Sequence, residues 1–222
     1  MSHAGLIEKI AEYFQNRSDV YLEAVARHLE ISFVAAFIAC VVGIPLGILS
    51  ARGSKIRTFI TGIFGVFRII PSLAILLLCI PIIGTGPAPA LIALSFLAIP
   101  PILINTTQAF AGIPGFLIET AEGMGMSSAR IFFTVKAPLS MPIVLAGIKT
   151  AVTEVIASAT LASYIGAGGL GNLIFTGLGL LRADLLLIGG ISVALLSVSA
   201  DFLLSCAERR LVRYRNPRIA ST

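Results

Sequence analysis

The stretch "ETAEGMGMSSARIFFTVKAPLSMP", residues 119–142, decides how this chain is read. It carries four charges, Glu119, Glu122, Arg130 and Lys136, in a chain whose residues are only 12% charged. On either side lie apolar runs, about Leu91 to Ala111 and Ile143 to Ile165. A polar, glycine-punctuated insert between two such runs needs a reason to exist.

The rest of the composition defines the setting. The chain has 222 residues, 57% of them hydrophobic, and a mean hydropathy of +0.98. A soluble domain carries about 25% charged residues, so this is an all-α integral membrane protein. One span takes about 20 apolar residues, which leaves no room for a large soluble domain. The net charge of +5 does not point to nucleic acid, because Lys and Arg concentrate in the cytoplasmic loops of membrane proteins. Cys40, Cys79 and Cys206 sit apart in apolar runs without metal-ligand spacing, so no metal site is expected. Residues 1–22 form an N-terminal amphipathic segment, with Leu6, Ile7, Ile10 and Phe14 at helical spacing for a membrane surface or a partner. The charges between Glu8 and Glu30 exclude a signal-peptide apolar region.

Five spans are expected in a transmembrane domain of residues 23–206: about Ile31–Leu49, Phe59–Ile83, Leu91–Ala111, Ile143–Ile165 and Leu185–Cys206. A basic tail, 207–222, follows. Five crossings place the loop "ARGSKIR" (51–57), the insert and the tail on one side. That side holds Arg52, Lys55, Arg57, Arg130, Lys136 and five tail arginines, Arg209, Arg210, Arg213, Arg215 and Arg218, against Lys9, Arg17, Arg27 and Arg182 opposite. The bias sets the insert and tail in the cytoplasm and the N-terminus outside. A six-span alternative splits the second span at Pro71 and fits the charges less well.

Catalytic patterns are lacking. There is no G-x-x-x-x-G-K-[ST] loop for ATP, no H-E-x-x-H, no G-x-S-x-G, and only two histidines, His3 and His28. No enzyme activity and no cofactor of the chain's own are expected. Gly166-Ala-Gly-Gly-Leu-Gly171 matches G-x-G-x-x-G but follows no β-strand, so it reads as a close-packed turn at the outer end of the fourth span. Gly43-x-x-x-Gly47 is a helix-packing pattern given no functional weight in so glycine-rich a chain.

In the insert, Ile113-Pro114-Gly115 breaks the third span. Phe116–Met126 then forms a short helix with Glu119 and Glu122 near its start, where the helix dipole favours acids. Gly123 and Gly125 leave a flat, narrow end. Arg130–Val135 makes a second amphipathic piece, closed by Pro138 and Pro142. Loops of this length without a role are uncommon, and the shape suits protein docking.

The insert, residues 113–142, resembles the EAA loop of type I ABC importer permeases: E-A-A, three residues, Gly, nine residues, then I-x-L-P. Glu119-Thr120-Ala121 stands for E-A-A, Gly125 for the glycine, and Val135-Lys136-Ala137-Pro138 for the close; Thr120, Val135 and Ala137 depart from the pattern. "IIPSLAIL" from Ile69, "GTGPAPALIAL" from Gly84, "IPPILINT" from Ile99, "PIVLAGIKTA" from Pro142 and "TLASYIGAGGLGNLIF" from Thr160 are similar to the osmoprotectant branch. Its members carry glycine betaine, carnitine, choline and related quaternary ammonium compounds. The resemblance implies the type I permease fold in a bacterial cytoplasmic membrane. It also implies a coupling helix that seats in a separate ATPase subunit, with ATP bound there. Glu119, Ala121, Gly123, Gly125, Met126 and Pro138 become the coupling residues. A second permease copy or paralogue and an extracytoplasmic binding protein complete the assembly. Methionine or amino-acid importer permeases are the alternative within the class. A stand-alone secondary transporter or channel, which predicts an internal repeat and no docking loop, is the alternative outside it.

One expectation stands apart from the resemblance. Arg68 and Glu154 are ionisable inside the second and fourth expected spans, where a charge marks a partner or a pathway. At 1.5 Å per residue they sit roughly 13 and 16 Å from the inner ends of their spans. They are candidates for an intramembrane pair, or for a pathway in which Glu154 attracts a cationic cargo.

Overall fold

The computed structural model describes residues 3–213, with side chains from 5 to 211; the tail from 214 and the N-terminal pair lie outside the described residues. Helices α1 (His3–Asn16), α2 (Ser18–Ser50), α3 (Ser54–Phe67), α4 (Ser72–Ile83), α5 (Pro87–Ala111), α6 (Gly115–Gly123), α7 (Ser128–Ile131), α8 (Ala137–Ala162), α9 (Gly171–Gly179) and α10 (Ala183–Arg213) follow in order. A π-turn at Phe132–Lys136 joins α7 to α8, and a 3₁₀ turn at Ser163–Ile165 extends α8. Among the described residues there is no strand. The all-α class is as expected.

Two compact units divide the chain. The first comprises residues up to Ile38, Ile70–Ala98 and Val152–Asp201. Its core gathers Tyr13, Ile156, Leu170, Leu173, Leu185, Ile188 and Val193. The amphipathic α1 therefore packs on its own chain through Tyr13 and Ile10, while Ile7 on the same stripe stays exposed. Small residues let α9 lie close to α10: a Cβ on Gly189 would stand 2.6 Å from Ile174, and one on Gly177 2.8 Å from the Leu186 amide. Tyr21 Oη and Ser192 Oγ meet at 2.8 Å. Gly86 N–H donates to the Ile165 carbonyl at 2.8 Å, tying the 84–86 turn to the end of α8.

The second unit holds Ala39–Ile69, Ile99–Ala151 and the chain from Phe202. Here α2 approaches α5 at both glycines of the G-x-x-x-G pattern. A Cβ on Gly43 would meet Ile102 at 3.1 Å, and one on Gly47 would meet Thr106 at 2.5 Å. Thr107 Oγ1 donates to the Gly47 carbonyl at 3.3 Å. The motif passed over in the sequence is thus the contact that seats α2 on α5. Gly147 does the same for α8 against α5, where its Cβ would fall 2.7 Å from Asn105.

Among the described residues four helices are long and apolar enough to cross a membrane, and α3 with α4 adds a fifth if the pair is one broken span. Phe33, Phe37 and Val41 on α2, and Leu195, Val198 and Phe202 on α10, form exposed apolar stripes at helical spacing, as lipid-facing surfaces require. Several expected boundaries move. α2 starts at Ser18, well before Ile31, because Glu23, Arg27 and Glu30 ride on a helix that outruns its apolar portion; the 22/23 division falls inside it. The expected second span is not continuous. α3 and α4 meet at 86° across residues 68–71, where Arg68 caps α3 and Pro71 opens α4. With 14 and 12 residues the halves are only about 21 and 18 Å long, short of the ~30 Å hydrocarbon core. The break falls at the proline of the six-span alternative, but neither half is a span. Pro138 and Pro142 do not close the insert: both lie in a helical run from Ser128 to Ile165.

Candidate functional site

The insert builds around α6. α5 stops at Ala111, Gly112 N–H still reaching the Gln108 carbonyl at 2.9 Å, and Pro114 in an extended conformation opens α6. No acid lies in the first turn of α6, contrary to expectation. The helix begins at Gly115, so Glu119 sits mid-helix and Glu122 in its last turn, and neither gains from the N-terminal dipole. The helix stops on two backbone bonds: Gly125 N–H to the Glu122 carbonyl at 2.9 Å and Met126 N–H to the Ala121 carbonyl at 3.1 Å. This is the paired-bond Schellman stop, which needs a left-handed residue after the cap. Gly125 supplies it with φ +74°. A Cβ on Gly125 would meet no atom of the described residues within 4 Å.

The loop is anchored at its base rather than along its length. Phe110 at the end of α5 stacks on Phe132 with centroids 5.9 Å apart, and Phe133 abuts Phe132 edge-on. Ser127 Oγ caps α7 by accepting from the Arg130 amide. The π-turn then spends one extra residue, Ala137 N–H reaching back five positions to the Phe132 carbonyl. Such turns often mark functional sites.

Ala121 is the only buried residue of α6. Glu119, Glu122, Gly123 and Gly125 are exposed, as is Pro138 further along, and Met126 is half-buried. Phe116, Met124 and Phe133 stand 64–70% exposed. The segment offers water apolar rings and a thioether beside two carboxylates, on a helix whose end no atom of the described residues crowds. Such a surface can dock a protein, and the segment contains no nucleophile–base pair.

Arg68 is exposed at the α3 cap, and the depth expected for it assumed an unbroken second helix. Glu154 is half-buried in α8. The first belongs to the second unit and the other to the first.

The glycine-rich turn is the reverse of the insert. Gly169 (φ +92°) backs onto His28, so close that a Cβ would lie 3.1 Å from Nδ1. A Cβ on Gly171 would stand 2.1 Å from the Thr160 carbonyl. Ser163 Oγ donates to the Gly168 carbonyl, and Leu170 is fully buried. The turn is close-packed on its own chain at Gly169 and Gly171, as read, while a pocket of about 240 Å³ borders Gly168 and Gly169. His28 is fully buried, its Nε2 3.0 Å from the Ile156 carbonyl.

Two features escaped the sequence reading. Lys149 is a cation within the fourth expected span, and its Nζ donates to Ser205 Oγ at 3.2 Å; a lone Lys in an apolar run was signal enough. His28 was noted only as a non-catalytic residue, and nothing in sequence links it to Gly169.

The family described as "Binding-protein-dependent transport system inner membrane component" matches residues 43–213. The carnitine transport permease protein OpuCB of Listeria monocytogenes is 43% identical over 205 residues, covering 92% of this chain and 94% of that one. The choline transport system permease protein OpuBB of Bacillus subtilis is 38% identical over 202 residues, covering 91% and 93%. Among solved structures, an inward-facing form of the MetNI methionine ABC transporter superposes with a TM-score of 0.72 at 27% identity, covering 87% of this chain and 95% of that one.

Proposed function

The chain belongs to the family of binding-protein-dependent transport system inner membrane components, and from that premise we propose that it is the permease subunit of an ABC importer for a quaternary ammonium osmoprotectant: carnitine, choline or glycine betaine. The single observation that carries the cargo is the identity of 43% across 92% of the chain with a carnitine permease. The methionine transporter shares the fold at 27% identity, which favours the class over the methionine cargo.

The chain holds no P-loop, so ATP binds on a separate ATPase subunit, and the permease itself needs no cofactor. α6 is the coupling helix. Its exposed Phe116, Met124, Glu119 and Glu122 meet the ATPase, and its anchorage at Phe110 and Phe132 passes the motion to α5 and α8. A second permease subunit and an external binding protein complete the machine, and rigid-body rocking around the pathway gives alternating access.

Contacts within one unit support a five-crossing topology. Tyr13 packs with Leu173 and Leu185, Arg27 Nε donates to the Ala167 carbonyl, and Gly86 binds Ile165. These contacts support a common side for α1, the 84–86 turn and the 165–185 segment. α2 and α5 each cross once, so the α3–α4 pair must carry the chain back across. Five crossings result, with the insert opposite α1; the positive charges assign the insert to the cytoplasm.

Proteoliposomes holding the permease, its ATPase and its binding protein test the reading. ATP-dependent uptake of labelled carnitine, choline or glycine betaine is expected. Uptake of methionine alone would overturn the cargo, and ATP-independent uptake by the permease alone would overturn the class.

A further inference from the structure

A pocket of about 680 Å³, lined by polar and apolar side chains, lies between α1 and the α9–α10 segment, wholly within the first unit. That is a typical volume for a small-molecule site. Tyr13 lines it, only 7% exposed, its ring in the unit's core. The phenol oxygen is buried and has no hydrogen-bond partner. A buried hydroxyl left unpaired is costly and calls for an explanation. Burial pushes the phenol's pKa up, which keeps it a neutral O–H donor.

The walls carry Lys9, Arg17 and Arg182, with Glu12 as the single acid. Arg182 is held by both Nε and Nη2 on buried Asp184, so its guanidinium is pre-positioned while its side chain remains 47% exposed. Counting Asp184 and Asp19, whose charge also acts on Tyr13, three cations face three acids and the site is balanced. Such balance suits a solute that carries one charge of each sign. Glu12 opposes a dianion and offers a counter-ion to a cationic group on the same solute.

We propose that this pocket binds a small zwitterionic carboxylate, its carboxylate accepting from the Tyr13 hydroxyl and paired with Arg17 and Arg182. The site is read by binding rather than uptake, so it stands or falls apart from the transport assignment.

The test is calorimetry on the full-length permease in nanodiscs at fixed ionic strength. Glycine betaine is the carboxylate probe, choline the matched cation without a carboxylate, and inorganic phosphate the competing anion. Saturable binding of glycine betaine is expected, with no saturable binding of choline and weaker binding of phosphate. Tyr13→Phe keeps the ring in the core and removes only the donor; it should weaken glycine betaine about tenfold or more. Arg17→Gln, at an exposed position, should do the same and guards against misfolding of the first variant. Absence of saturable glycine betaine binding, equal binding of choline, tighter binding of phosphate, or unchanged affinity in both variants would overturn the proposal.

Discussion

Two glycine-marked regions look alike in sequence and are opposites in structure. Around Gly125 the chain leaves open space: a Cβ there would find nothing within 4 Å. Around Gly171 it leaves none, the Thr160 carbonyl lying 2.1 Å from where a Cβ would go. Both turns use left-handed glycines, Gly125 in one and Gly169 in the other. The difference lies in who fills the surroundings. At the 166–171 turn His28, Thr160 and Ser163 fill them, so glycine serves the chain's own packing. At the end of α6 no atom of the described residues does, so the space stays open.

The sharpest way to break the comparison is Gly171→Ala. Overpacking against backbone costs typically 1–3 kcal/mol and sometimes more. The variant should lose membrane yield and melt well below the wild type in detergent. A wild-type melt would mean that the turn is not sealed.

Next comes Gly125→Ala, which meets no steric obstacle and pays only for left-handed backbone, about 1–2 kcal/mol. Gly125→Asn should recover part of that loss, because Asn tolerates the left-handed region. Equal melting of the two variants would detach Gly125 from the helix stop.

A smaller, purely topological effect is expected at Ser128, the exposed first residue of α7. In a background without the three native cysteines, Ser128→Cys should react with an impermeant thiol reagent only from the cytoplasmic side. The companion positions Ser2 and Ser221 lie outside the described residues. External labelling of Ser128 would invert the two regions.

The smallest effect is expected at Ala137, half-buried where the π-turn meets α8. Ala137→Leu should shift stability by no more than about 0.5 kcal/mol and leave uptake intact. A large loss of uptake at wild-type stability would extend the docking surface beyond α6.

Legibility followed the range of the forces. The start of α6 was readable because Pro114 acts on its immediate neighbours; its stop was placed three residues late, at Met126, because the left-handed turn at Gly125 that ends the helix at Gly123 was not recognised. The sealed turn was readable because three positive-φ glycines cannot be mistaken for a helix. The Arg68–Pro71 break was missed as a break in the span, because hydropathy runs on through Ile69 and Ile70 while the bend is a backbone event. The early start of α2 was missed because an apolar run marks the lipid-facing length of a helix and not its protruding end. The insert's second half was misread because Pro138 and Pro142 are ordinary chain breakers. Here the helix runs on through both, Pro138 in the first turn of α8 and Pro142 inside it. The Gly43–Gly47 contact and the Lys149–Ser205 bond depend on partners 55 or more residues away, where local patterns carry no information.

The central claim is that α6 is open because an ATPase fills the space around it. The most direct measurement is co-purification of the ATPase subunit with wild-type permease and with Gly125→Arg, each first shown to be in the membrane at comparable yield. The account predicts that the ATPase is retained by wild type and lost from Gly125→Arg, with transport lost alongside. Retention of the ATPase and normal uptake in Gly125→Arg would contradict it.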